Sequence, residues 1–192
     1  MPTTEQPDRY NKASIALHWI MLLLLAGVYA AIEFREAYPK GSGPRELLKA
    51  AHFTLGLTIF ALVWIRLAAR RIMPAPADEQ ASAIWQRVAA RLIHLALYAF
   101  MIAMPLAGWI ILSAEGKSIP FYGFEFPPLV DPNETLAETV EGLHELGGAI
   151  GYYLIGFHAA AALFHHYVLR DNVLARMLPG ARRGLPLEAI RE

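Results

Sequence analysis

Four stretches of this 192-residue chain are apolar over lengths close to what a lipid bilayer demands. They cover residues 14–32, 50–69, 89–112 and 142–169. A helix needs about 20 such residues to cross a hydrocarbon core about 30 Å thick. In that medium each backbone amide must find its partner inside the segment, so blocks of this length span as helices. The expected fold class is all-α, a four-helix transmembrane bundle. Apolar residues make up 56% of the chain, and their bunching into blocks argues against an ordinary soluble domain. The first block has no small-residue cleavage site after it and carries His18, so it reads as a span and not as a secretion signal.

The 17 Lys and Arg residues are distributed unevenly around these blocks. Twelve are assigned to the N-terminal flank, to the second connection with the span ends it joins, or to the C-terminal tail; among them are Arg9, Lys12, Arg66, Arg70, Arg71, Arg87, Arg91, Arg170 and Arg176. The remaining five are Arg35, Lys40, Arg45, Lys49 and Lys117. The positive-inside bias then places both termini in the cytoplasm of a bacterium, with the chain crossing the inner membrane four times. Residues 1–13 form a cytoplasmic flank, 14–169 the membrane domain, and 170–192 a basic cytoplasmic tail. Arg66, Arg70 and Arg71 are read as expressions of this bias. The zero net charge conceals the asymmetry, and no nucleic-acid partner is expected. With no cysteine, disulfides, thiolate-held iron–sulfur clusters and covalently attached haem are excluded.

Pro74 and Pro76 mark a turn between the second and third spans. The connection 113–141 holds Pro120, Pro127, Pro128 and Pro132 and cannot be one helix. Its end, Asp131-Pro132-Asn133-Glu134, reads as a helix start with Asn133 as N-cap, so the fourth helix should project beyond the membrane on the outer side. After Arg170, Pro179, Gly180 and Gly184 suggest a short interfacial segment and a frayed end.

On the fourth block, His144 and His158 are fourteen residues apart, almost four helical turns, so both point off one face about 21 Å apart. With the N-terminus inside, His18 lies at the inner level and His52 at the outer level. His144 falls at the depth of His52, and His158 at the depth of His18. Two histidines at one depth on different helices can fill both axial positions of a b-type haem. Small residues on the same faces, Gly147, Gly148, Gly151 and Gly56, leave room for a flat ligand or bring helices close. A non-haem metal would be expected to add carboxylates, and Glu145 alone is near.

Of the other histidines, His165 is two turns beyond His158 and can meet a haem propionate or a quinone carbonyl, or lie at the interface. His94, near the inner start of the third span, lacks a depth-matched partner and can line a cofactor pocket. His166 is read as interfacial. Trp19, Trp64, Trp85 and Trp109 fit an aromatic belt. Arg35, closing the first helix after Glu33-Phe34, is a partner for an outer propionate or an anchor.

These stretches carry a resemblance. Leu17-His18-Trp19, Glu33-Phe34-Arg35, Ala51-His52-Phe53, His94 through Met104-Pro105, and Leu143-His144-Glu145 through Gly156-Phe157-His158-Ala159 to His165-His166-Tyr167 resemble the bacterial cytochrome b561 family, and within it the diheme superoxide oxidase type. The likeness extends over about residues 9–178. It implies two haem b groups, one ligated by His18 and His158 and the other by His52 and His144. It also implies ubiquinone near the inner haem, at His165 and Arg170. The implied reaction is oxidation of superoxide at the outer surface, with electrons passing to ubiquinone; Arg35 and Lys117 are the candidate approach residues. The alternative is an electron-transfer subunit serving a periplasmic redox protein. Superoxide is an anion and favours a positive approach. Yet the stretch 113–145 sets Lys117 against seven carboxylates, so steering requires Lys40, Arg45, Lys49 and Lys117 to gather at the outer haem.

Overall fold

The computed structural model describes residues 9–73, 76 and 83–180. Four long helices carry the chain back and forth: α1 (Lys12–Phe34), α2 (Gly43–Ile72), α3 (Ile84–Ala114) and α4 (Glu134–Phe164). Each is long and apolar enough to cross a membrane. Their starts follow local chemistry. The Asn11 side chain accepts from the Ser14 amide at 2.8 Å, and proline stands in the first turn of α2, where its missing N–H costs nothing. Asn133 caps α4 by accepting from the Leu136 amide at 3.0 Å, as its sequence context suggests. Pro74 and the residues from 181 onward, including Gly184, lie outside the described residues. The arginines assigned to the second connection stand on helix: α2 runs through Arg66, Arg70 and Arg71, and α3 includes Arg87 and Arg91.

The surface is inverted relative to a water-soluble bundle. Leu23 is 70% exposed, Leu95 66% and Phe157 66%. Rows of this kind on all four helices suit lipid contact and would aggregate in water. The protein interior is correspondingly small. One cluster joins Met21, Ile59, Val63 and Met101 across α1, α2 and α3. A second joins Leu57, Leu112 and Ile119, with Trp109, Phe121 and Phe126 packed against it.

That second cluster depends on a hairpin that no periodic pattern in the chain announces. Strands β1 (Ile119–Phe121) and β2 (Phe124–Phe126) pair antiparallel, with Phe121 opposite Phe124. Tyr122 and Gly123 both take positive φ, 47° and 85°, the arrangement that matches the twist of a two-residue hairpin. Phe126 stacks on Trp109, whose indole donates to the Pro127 carbonyl at 3.0 Å. The hairpin thus covers the end of the bundle opposite the termini, here called the hairpin end. At the other, terminal end, α4 widens into a π turn over His165–Leu169, and Arg170 adopts a left-handed conformation (φ 57°). The chain then folds back, so that Trp19 donates to the Met177 carbonyl at 2.7 Å and Arg9 to that of Leu178. Both described chain ends therefore meet on one side of the bundle.

Candidate haem sites

α4 places His144 and His158 on one face, and each meets one partner from another helix. His52 of α2 faces His144 with ring centres 6.2 Å apart. His18 of α1 faces His158 at the same 6.2 Å. A metal–nitrogen bond of about 2 Å plus about 1.1 Å from nitrogen to ring centre separates two trans imidazoles by about 6.2 Å. Both pairs therefore have the ring separation that one iron between two imidazoles requires. His94 also reaches this level, but its ring centre is 5.2 Å from that of His158, too close for a trans pair. It lines the pocket beside the pair.

The two layers differ in their surroundings. At the hairpin end a cavity of about 1140 Å³ opens beside His52 and His144. Gly56 and Gly148 line it, and a Cβ added at either would meet nothing within 4 Å. This is space for a macrocycle against two helix backbones. At the terminal end the cavity beside His18, His94 and His158 is smaller, about 220 Å³, so the fit of that layer rests on imidazole spacing and not on volume. Leu25 and Met101 border both cavities and part them.

The glycines of α4 divide between two duties. A Cβ on Gly147 would lie 2.6 Å from Met104 Sδ, and one on Gly151 would collide with the Tyr29 hydroxyl and the Phe100 ring. These two serve helix packing, whereas Gly148 alone of the three faces the cavity. Tyr29 also donates to the Gly148 carbonyl at 2.8 Å and packs on Tyr152, whose hydroxyl donates to Glu33 at 2.7 Å. Gly151 is midway in sequence between His144 and His158, so Tyr29 and Phe100 stand between the two layers.

Arg35 and Lys117 both line the larger cavity, together with Arg45 and Lys49; Lys40 does not. The gathering is largely neutralised. Arg35 and Arg45 pair with Glu36, Lys49 with Glu46, and Lys117 with Glu115, each at 2.9 Å. Four cations share the lining with five carboxylates, Glu33, Glu46, Glu115, Glu141 and Glu145. Arg45 is buried and also donates to the carbonyls of Arg35 and Tyr38, fastening the α1–α2 connection.

His165 and Arg170 stand at the π turn, outside the lining of the smaller cavity. The His165 Nδ1 is hydrogen-bonded to Asp171, a partner with no periodic signal in the sequence. Arg66 corrects the reading of its sequence context. It is not merely an inside-facing charge: its Nη2 lies 3.2 Å from His18 Nδ1, its Nε donates to the Tyr98 hydroxyl at 3.2 Å, and it lines the terminal-end cavity. A signal existed, because Arg66 follows His52 by fourteen residues, the same spacing that separates His144 from His158.

Residues 9–180 match the family model described as prokaryotic cytochrome b561. The chain belongs to the prokaryotic cytochrome b561 family. Among curated relatives, cytochrome b561 homolog 1 of Escherichia coli is 41% identical over 172 residues, covering 90% of this chain and 98% of the relative. The probable superoxide oxidase CybB of Yersinia pestis is 34% identical over 174 residues, covering 91% and 98%. Cytochrome b561 homolog 2 of E. coli is 30% identical over 179 residues, covering 93% and 95%. With its four spans, this cytochrome is a multi-pass electron-transfer protein of the bacterial inner membrane, and membership implies haem b.

Proposed function

We infer that this cytochrome oxidises superoxide at the periplasmic face and delivers the electrons to ubiquinone near the cytoplasmic face. The observation that carries this reading is the stacking of two imidazole pairs, each with ring centres 6.2 Å apart, along one face of α4. His18 and His158 hold one haem b, and His52 and His144 the other. Bound there, haem supplies reversible one-electron carriage across the membrane. The hairpin end is periplasmic and both termini are cytoplasmic, in keeping with the distribution of Lys and Arg.

Each superoxide gives up one electron and leaves as dioxygen; two electrons and two protons convert ubiquinone to ubiquinol. Arg35 and Lys117 border the cavity that superoxide approaches, although their ion pairs leave little net field for steering. Tyr29, Phe100, Leu25 and Met101 stand between the layers. At the terminal end, Asp171 fixes the His165 ring through Nδ1, leaving Nε2 free to meet a quinone carbonyl. Arg170 flanks this position, and His94 completes the inner pocket wall. Purified protein supplied with ubiquinone should consume radiolytically generated superoxide far faster than spontaneous dismutation; a rate equal to background would sink the assignment.

One observation favours a second reading. Glu134, Glu138, Glu141 and Glu145 recur along one exposed stripe at the projecting start of α4. Such a face suits docking of a basic periplasmic redox protein, in which case the cytochrome relays that partner's electrons to the quinone pool.

A further inference from the structure

We propose that the tip of the hairpin, Tyr122 to Phe124, is immersed in the bilayer leaflet at the hairpin end, with lipid as its partner. Its place in the chain, a connection rich in proline and carboxylates, assigns it to the water outside the membrane. Its contacts place it lower. The Tyr122 hydroxyl lies 3.1 Å from Thr58 Oγ1. Thr58 directs its own hydrogen to the Thr54 carbonyl at 2.8 Å, so Tyr122 is the donor. Thr58 stands midway along α2, and at 1.5 Å per residue it lies about 9 Å further into the bundle than His52. A side chain of an extramembrane connection therefore reaches the middle of a span. The proposal needs only the four spans and holds whatever the electron donor.

The hairpin is built for a boundary between water and lipid. Its packed face carries Ile119, Phe121 and Phe126, seated on Leu57, Leu112 and Trp109. Trp109 follows Gly108, whose Cβ would stand 3.6 Å from His144, so this face lies at the level of the hairpin-end histidine pair. Beyond it the tip overhangs, with Tyr122 63% and Phe124 74% exposed. In water that apolar surface would gain nothing, whereas aromatic rings with a polar handle are favoured where headgroups meet acyl chains. The backbone accords with this depth. Pro120 brings no N–H to β1, and its carbonyl accepts from Thr54 at 3.4 Å. On β2, Glu125 is exposed and accepts from the Ser118 hydroxyl at 2.8 Å, which keeps the carboxylate side toward water. A water-soluble partner would have to descend to the depth of Thr58 to cover Tyr122; lipid is already there. Ser118, Ile119 and Pro120 also line the hairpin-end cavity, so one wall of that cavity is continuous with a tip seated in lipid.

The chain contains no cysteine, so a single introduced thiol is the only one to label. The test places full-length, haem-loaded protein in vesicles of phosphatidylethanolamine and phosphatidylglycerol and adds a membrane-impermeant maleimide. Lys40→Cys, exposed in the α1–α2 connection at the same end of the bundle, gives the aqueous rate. Phe124→Cys should react about tenfold more slowly or less, because lipid excludes the reagent and each unit by which it raises the thiol pKa removes nine-tenths of the thiolate. Its rate should fall with that of Leu23→Cys, on the exposed apolar side of α1. A photoactivated benzophenone in place of the Phe124 ring should yield lipid adducts by mass spectrometry. Because it keeps an aromatic ring at that position, it reports even where Phe124→Cys folds poorly. Labelling of Phe124→Cys at the Lys40→Cys rate, or adducts to a second copy or another protein in place of lipid, would overturn the proposal.

Discussion

Gly151 is the position at which packing between the two histidine layers can be tested most directly. A Cβ there would stand 2.5 Å from Cζ and 2.7 Å from Cε2 of Phe100, and against the Tyr29 hydroxyl. Gly156, five residues further along the same helix, has nothing within 4 Å of the corresponding point. Forcing a methyl into a filled site costs about 1–3 kcal/mol. Displacing Tyr29 also strains its hydrogen bond to the Gly148 carbonyl, worth about 0.5–1.5 kcal/mol. Against this stands the helix-propensity gain of Gly→Ala, about 1 kcal/mol. Gly151→Ala should therefore be destabilised by about 1–3 kcal/mol. Gly156→Ala should be more stable by up to about 1 kcal/mol, because the gain there meets no steric penalty. Unfolding in mixed micelles of increasing dodecyl sulfate content, followed by circular dichroism, reads both. Tyr29→Phe combined with Gly151→Ala should cost less than the two changes summed, since the hydroxyl that the methyl meets is gone. If Gly151→Ala and Gly156→Ala proved equally stable, the tight seam at Tyr29 and Phe100 would not exist, and the reasoning would fail with it.

Two further outcomes follow from the histidine geometry and the π turn. His144→Ala and His158→Ala should each halve the haem content measured by pyridine haemochrome and remove different spectral components, whereas His94→Ala should retain both haems; two haems in either of the first two variants would refute the pairing. Asp171→Asn should raise the KM for ubiquinone several-fold, with the haem spectrum unchanged, because it loosens the His165 ring without touching either histidine pair. An unaltered KM would remove His165 from the quinone site.

Much of the bundle was legible because bilayer thickness dictates block length and α-helical rise dictates depth. The pairing of His52 with His144 and of His18 with His158 follows from direction and rise alone, and the structure brings those rings together. Other features lay outside what one-dimensional spacing can express. The hairpin at Ile119–Phe126 is too short for an alternating pattern, and its turn begins with Tyr122 in place of the usual glycine or asparagine. Gly147 and Gly148 are neighbours in sequence, yet only the three-dimensional position of Met104 decides that one packs and the other opens onto a cavity. Asp171 reaches His165 because the helix widens and then reverses at Arg170, a local event with no periodicity. Arg66 was visible in spacing but obscured by its membership in a cluster with Arg70 and Arg71, where an orientation signal offered a sufficient explanation.

The helix seams give the histidine pairs a structural consequence beyond redox chemistry. Among the described residues, α1 packs along α2, α2 along α3, and α3 along α4. α4 meets α1 and α2 mainly where Tyr29 rests on Gly148 and Gly151 and where the histidines face one another. Direct packing thus forms an open chain of helices, and its closure falls to the two positions at which an imidazole of α4 opposes one from α1 or α2. Lipid offers no hydrophobic drive to close that gap, because its tails are as apolar as the side chains they would release. A ligand coordinated from both sides can close it, at two heights on one helix. On the two-haem reading, the fourteen-residue spacing that sets the separation of the redox centres would also fix α4 against the rest of the bundle at two points, resisting both its tilt and its rotation.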